Sequence, residues 1–177
     1  IPTICQTPLL IGRSYSTLAH REVIFKSLQN LKINPKSAEL EYDCCEQDLA
    51  KLKVFALNNK CDGVIASGGG KVLDTGKLLA CRLCVPCVTI PLSAATCAGW
   101  TALANIYSPE GAFQHDEVLK SCPDLLIFDH TFVRTAPPRT LASGIADALA
   151  KWYEASLSSS SSTDGLVQQA LQMARVL

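Results

Sequence analysis

The chain has no net charge: sixteen Lys and Arg balance sixteen Asp and Glu among 177 residues. That balance offers no electrostatic grip on nucleic acid, so no nucleic-acid partner is expected. No stretch of about eighteen apolar residues occurs, which gives no span able to cross a bilayer and no membrane role. The first residues, Ile1-Pro2-Thr3, lack the charged start and cleavage site of a secretory leader. They also lack a methionine, which leaves room for a preceding segment. Internal repeats are absent, and histidine is scarce, with three residues and none after His130. Nearly half the residues are hydrophobic, so disorder is disfavoured and the length suits one good core, or one domain plus the start of a second.

Cysteine, by contrast, is abundant, with nine residues. Their odd number and their scatter through apolar segments argue against a disulfide framework and for a reducing, cytoplasmic setting. Cys81, Cys84 and Cys87 are spaced as C-x-x-C-x-x-C, a pattern that resembles cluster ligation. The run crosses from a helix end into an apolar strand, where thiols act as small buried hydrophobes, and neither it nor Cys44-Cys45 is assigned a metal.

Strand and helix signals alternate. Pro8 to Gly12 reads as a strand, Leu18 to Leu31 as a helix, Leu40 to Tyr42 as a second strand and Asp48 to Asn58 as a second helix. Asp62 to Ser67 is a third strand, and Val72, Leu73, Gly76, Leu79, Ala80 and Leu83 recur at helical spacing. Val85 to Ile90 and Leu125 to Phe128 complete five strands, with a polar segment from Ser108 to Pro123 between the last two. This order predicts an α/β, Rossmann-like, mostly parallel sheet. Pro137-Pro138 then breaks the pattern, and only helix follows, over Arg139 to Ala155 and Asp164 to Leu177, around the loop-like serines of Ser156 to Thr163. The expected division is an α/β domain over 1–136 and the first helices of an incomplete helical domain over 137–177.

Two stretches carry the chemistry. Ser67-Gly68-Gly69-Gly70-Lys71-Val72-Leu73-Asp74 sets three glycines between a buried strand and a helix. The backbone there can approach a ligand closely, and the helix's first amides and dipole favour an anion. Lys71 adds a mobile cation beside this nest. It is not a Walker A loop, because Val72 replaces the Ser or Thr that would hold magnesium, nor is it G-x-G-x-x-G. The second stretch, Gly144 to Glu154, places Asp147 beside the apolar helical face of Ile145, Ala148, Leu149 and Trp152. A carboxylate there is costly unless it is paired or metal-bound. From the residues alone, a metal ligand and a salt bridge to Lys151, four residues on, remain equal alternatives.

Four ordered blocks, Gly68 to Lys77, Ile90 to Trp100, Ile106-Tyr107 and Gly144 to Glu154, resemble the iron-containing alcohol dehydrogenase superfamily, in particular its glycerol dehydrogenase-like branch. The resemblance covers nearly the whole chain. It implies the dehydroquinate synthase-like fold, with a nucleotide-binding domain, an all-helical second domain, and a divalent metal, zinc or iron, in the cleft between them. It implies that the pyrophosphate of NAD or NADP lies on Gly68, Gly69, Gly70, Lys71, Val72, Leu73 and Asp74. Leu92, Ser93 and Ala95, with Thr101, Leu103 and Tyr107, would line the nicotinamide side. Asp147 occupies the position of the metal-binding Asp in G-x-x-D-x-L-x-K, and the resemblance favours that role. A small-molecule substrate and a homo-oligomer are expected, with Leu166, Val167, Leu171 and Met173 seeking apolar partners.

The chain departs from the family pattern at three places. Where glycerol dehydrogenases have a substrate-facing Asp in S-T-D-A, it reads Ala95-Thr96-Cys97-Ala98. Cys97 cannot accept hydrogen bonds from a polyol as a carboxylate does, which points away from glycerol, and the Cys97-Ala98-Gly99-Trp100 version resembles relatives that handle hydroxy or oxo acids. At the end of the first strand, where NAD-preferring relatives carry an Asp, it has Arg13. That residue is either a partner for a 2′-phosphate, which favours NADP slightly, or a solvated surface arginine. The two downstream histidines of the family's metal site have no counterpart. His20, His115 and His130 are expected in a helix, a loop and a strand end. A truncated metal-dependent, NAD(P)-linked oxidoreductase is the favoured function. A non-catalytic nucleotide-binding module that lost the second domain is the alternative, and a lyase of the dehydroquinate synthase type ranks last, since its phosphate-binding basic residues are not evident.

Overall fold

In the computed structural model, which describes residues 1–176, a five-stranded sheet forms the centre. Its strands are β1 (Pro8–Gly12), β2 (Lys36–Glu39), β3 (Gly63–Gly68), β4 (Cys87–Pro91) and β7 (Leu125–Leu126). They pair in the order β2-β1-β3-β4-β7, every pair parallel. All residues of β1, β3 and β4 are buried, as expected of strands covered on both faces.

Pleating divides the side chains between two cores. Leu10, Ile65, Val88 and Leu125 stand in register across the sheet. They pack with Ile24 and Leu28 of α1 (Leu18–Asn30) and with Phe132 of α4 (His130–Arg134). On the other face, Leu9, Ile11, Val64 and Ala66 meet Leu49, Leu52 and Ala56 of α2 (Glu46–Asn58) and Leu73, Leu78 and Leu79 of α3 (Gly70–Leu83). The same core includes Ala104 and Ile106 of β5 (Leu103–Tyr107), which pairs antiparallel with β6 (Phe113–Val118). Two long helices follow, α5 (Pro138–Ser158), with Pro138 in its first turn, and α6 (Gly165–Val176).

The structure corrects several expectations. The second strand is Lys36–Glu39, not Leu40 to Tyr42. It is an edge strand with alternating exposure and no apolar run, while Leu40 is buried just beyond it and its amide donates to the Gly12 carbonyl at 2.8 Å. The segment read as polar contains β6, exposed along nearly all its length and held by pairing to β5. His115 therefore lies on a strand, and His130 opens α4, which Asp129 caps by accepting from the Thr131 amide at 2.8 Å. Cys84 is the left-handed residue that ends α3, and Cys87 is buried in β4. All nine cysteines are free thiols, and burial pushes those of Cys44 and Cys87 up to about 12.

Candidate functional site

The site lies at the carboxyl ends of the parallel strands, where open α/β sheets bind ligands. β3 ends at Gly68 and α3 begins at Gly70, so the intervening turn presents the helix's first amides, which have no carbonyl partner within the helix. No side chain caps them. A Cβ added at Gly69 would meet nothing within 4 Å, which leaves the turn open to a ligand. At Gly70 a Cβ would lie 2.9 Å from Thr96 Cγ2, so the turn abuts the loop that carries Cys97. The Leu92 amide donates to the Gly68 carbonyl at 3.1 Å and fixes that loop to the turn.

One cavity opens at the turn and another at the adjoining loop. One, of about 300 Å³, is lined by Arg13, Ser14, Thr17, Gly68, Gly69, Gly70, Lys71 and Val72. The other, of about 510 Å³, brings Cys97, Thr96 and Trp100 opposite Gly144, Asp147 and Lys151 of α5. Gly144 is what allows this approach, since a Cβ there would lie 1.7 Å from the Ala94 carbonyl oxygen.

The sequence-predicted residues divide accordingly. Arg13 and Gly68 to Val72 gather at the first cavity, and Cys97 and Asp147 at the second. Leu73 and Asp74 are buried in the core instead of facing the turn. Burial raises the Asp74 carboxyl above its ordinary range, against the pull of Lys77, whose Nζ lies 2.9 Å from Oδ1. Lys77, itself buried, donates to the carbonyls of Thr101 at 3.2 Å and Leu103 at 2.5 Å, so these two residues anchor a buried cation. Leu92, Ser93, Ala95, Thr101, Leu103 and Tyr107 line neither cavity.

Lys71 is not a loose cation. Its ammonium is paired with Asp43 and lies 4.4 Å from the centroid of the Tyr107 ring. Arg13 is paired with the other oxygen of Asp43. Sequence reasoning missed Asp43, although its place just after a strand's carboxyl end is where a doubly wound sheet collects ligand-facing residues.

Asp147 Oδ1 lies 3.2 Å from Lys151 Nζ, and its side chain is one-third exposed. The neighbouring apolar face is open, with Ile145 and Leu149 more than half exposed, so the carboxylate stands beside solvent-facing side chains and not within an apolar core. Among the described residues, no three His, Cys, Asp or Glu side chains gather into a metal-sized cluster. His20 stacks edge-on against Phe132 and lies within hydrogen-bond reach of Thr135, 3.1 Å away, while His115 and His130 are exposed. A metal at this cavity could draw on one carboxylate, that of Asp147, and on no imidazole among the described residues. Among the described residues, no helix is long and apolar enough to cross a membrane.

The family model for iron-containing alcohol dehydrogenases matches residues 3–130. The chain belongs to this family. It is 50% identical over 157 residues to an uncharacterized oxidoreductase of Synechocystis sp., covering 86% of this chain and 40% of that protein. It is 40% identical over 112 residues to hydroxycarboxylate dehydrogenase A of Escherichia coli K12, covering 63% of this chain and 31% of that one. Several bacterial glycerol dehydrogenases are further relatives. The fold superimposes on the crystal structure of a probable glycerol dehydrogenase from Sinorhizobium meliloti 1021 with a TM-score of 0.73 at 28% identity, over 85% of this chain and 41% of that one. The chain therefore spans less than half the length of these proteins.

Proposed function

We propose that the chain is the nucleotide-binding part of a metal-dependent, NAD(P)-linked oxidoreductase, with residues 1–136 as the nucleotide-binding domain and 137–177 as the first helices of the metal-binding domain. The observation that carries this reading is the open, uncapped glycine turn that lines one cavity and abuts, through Thr96, the loop that lines a second. A dinucleotide laid along the strand ends would put its pyrophosphate on the amides of Gly70 and Lys71, its adenosine toward Arg13 and its nicotinamide toward Thr96 and Cys97. When bound, the dinucleotide would supply or accept a hydride, and the turn's amides with Arg13 would hold it at the strand ends. Amides at a helix N-terminus neutralise pyrophosphate charge without having to reorganise. Arg13 would pair with a 2′-phosphate and favours NADP slightly over NAD, an advantage that its ion pair with Asp43 reduces.

Asp147 would contribute one ligand to a divalent zinc or iron, and further residues would complete the shell. The substrate is a small alcohol, hydroxy acid or oxo acid, and Cys97 favours the acids. Its thiol makes only weak hydrogen bonds and offers a polyol no strong acceptor. The exposed Leu166 and Met173 suit a homo-oligomer, and the free thiols suit a cytoplasmic setting.

Calorimetric titration of the chain with NAD and NADP tests the nucleotide reading. Saturable binding of either supports it, and binding of neither overturns it.

A further inference from the structure

Asp43 follows β2 and turns its carboxylate inward beneath the β5–β6 hairpin. A Cβ at Gly111, in the hairpin turn, would come within 3.7 Å of Oδ2. Oδ1 accepts from the Arg13 guanidinium and Oδ2 from the Lys71 ammonium. Only 11% of the Asp43 side chain is exposed, against 42% for Arg13 and 46% for Lys71. Both cations line the cavity beside the glycine turn, and Asp43 does not. The carboxylate is therefore a fixed anion behind two cations that face the ligand, and the trio carries one net positive charge.

This arrangement bears on the 2′-phosphate that separates NADP from NAD. Such a phosphate brings nearly two negative charges to Arg13, where Asp43 already holds one guanidinium nitrogen and adds repulsion from behind. A 2′-hydroxyl meets no such opposition. We propose that Asp43 is the specificity-determining residue of this corner, orienting Arg13 and Lys71 and holding down the affinity for a 2′-phosphorylated dinucleotide relative to the unphosphorylated one. The proposal rests on the reading that a dinucleotide occupies the glycine turn.

The test is calorimetry with NAD and NADP on the wild-type chain and on Asp43→Asn, which keeps the shape and removes the charge. The ratio Kd(NAD)/Kd(NADP) should rise about tenfold, the effect of removing a unit charge near a dianion at a protein surface, and the gain should shrink at ~0.5 M salt. A ratio shifted by less than threefold, whether both affinities hold or fall together, overturns the proposal and leaves Asp43 as a structural anchor only. A ratio that falls overturns it equally. If circular dichroism shows Asp43→Asn unfolded, Asp43→Ser removes the same charge with a smaller side chain and is read by the same ratio. Failure of the wild-type chain to bind either dinucleotide would remove the nucleotide site itself, an outcome distinct from an unchanged ratio.

Discussion

Gly144→Ala sets two effects of known sign against each other. Gly144 sits inside α5, where alanine is the better helix former by ~1 kcal/mol. Were helix propensity alone at work, the variant would hold α5 more firmly. The added methyl, however, would lie 1.7 Å from the Ala94 carbonyl oxygen, 2.9 Å from the Ala94 carbonyl carbon and 3.4 Å from Ala95 Cα. All three are backbone atoms, which cannot rotate away as a side chain would. Either α5 or the loop must retreat by about as much as the contact falls short. Overpacking costs ~1–3 kcal/mol, and a backbone clash of this depth belongs at the upper end. Subtracting the propensity gain leaves a loss of ~2 kcal/mol in docking α5 on the loop. Amide exchange along Pro138–Ser158 should then quicken roughly thirtyfold, at a tenfold change per ~1.4 kcal/mol, while β3 and β4 keep their protection. Unchanged or slower exchange in α5 would refute the argument, since it would mean that propensity outweighs contact.

Gly69→Ala should do the opposite, leaving the melting temperature nearly unaltered because its methyl meets nothing, yet weakening dinucleotide binding by calorimetry because it projects from the turn. Lys77→Met strands the buried Asp74 and leaves the Thr101 and Leu103 carbonyls without their ammonium, and should cost ~3 kcal/mol in urea denaturation. The Glu46 carboxyl is held below its ordinary range by hydrogen bonding to Arg82, so its contribution is complete at neutral pH and fades as pH falls through that lowered value. Arg82→Ala should accordingly lose less thermal stability between pH 7 and pH 4 than the wild type loses. An equal loss in both proteins would show that the pair does not couple to folding.

The central sheet was legible because β1, β3 and β4 are buried on both faces and therefore appear as unbroken apolar runs. β2 and β6 were not legible for the converse reason. Lys36–Glu39 and Phe113–Val118 meet water along one face or nearly all their length, so pairing partners hold them instead of side-chain hydrophobicity. The glycine turn announced itself by composition. The Asp43 pairings did not, since they join residues 28 and 30 positions apart, a distance no local pattern reports. Asp147 shows the limit in the other direction: its spacing from Lys151 disclosed the ion pair, but the open apolar face beside it depends on what α5 packs against.

The corner formed by Arg13, Asp43, Lys71 and Tyr107 draws on four separate segments of chain, none of them a sequence neighbour of another. Contacts of that separation form late, because loop closure must be completed before they add stability. In refolding from denaturant, helix content should return before the corner's charges find one another. During that interval the chain would have helices but neither the parallel pairing of strands such as Pro8 with Gly63 nor its pocket. Competence to hold a ligand is then a property of the last stage of folding, and a protein that looks native by circular dichroism can still be arriving.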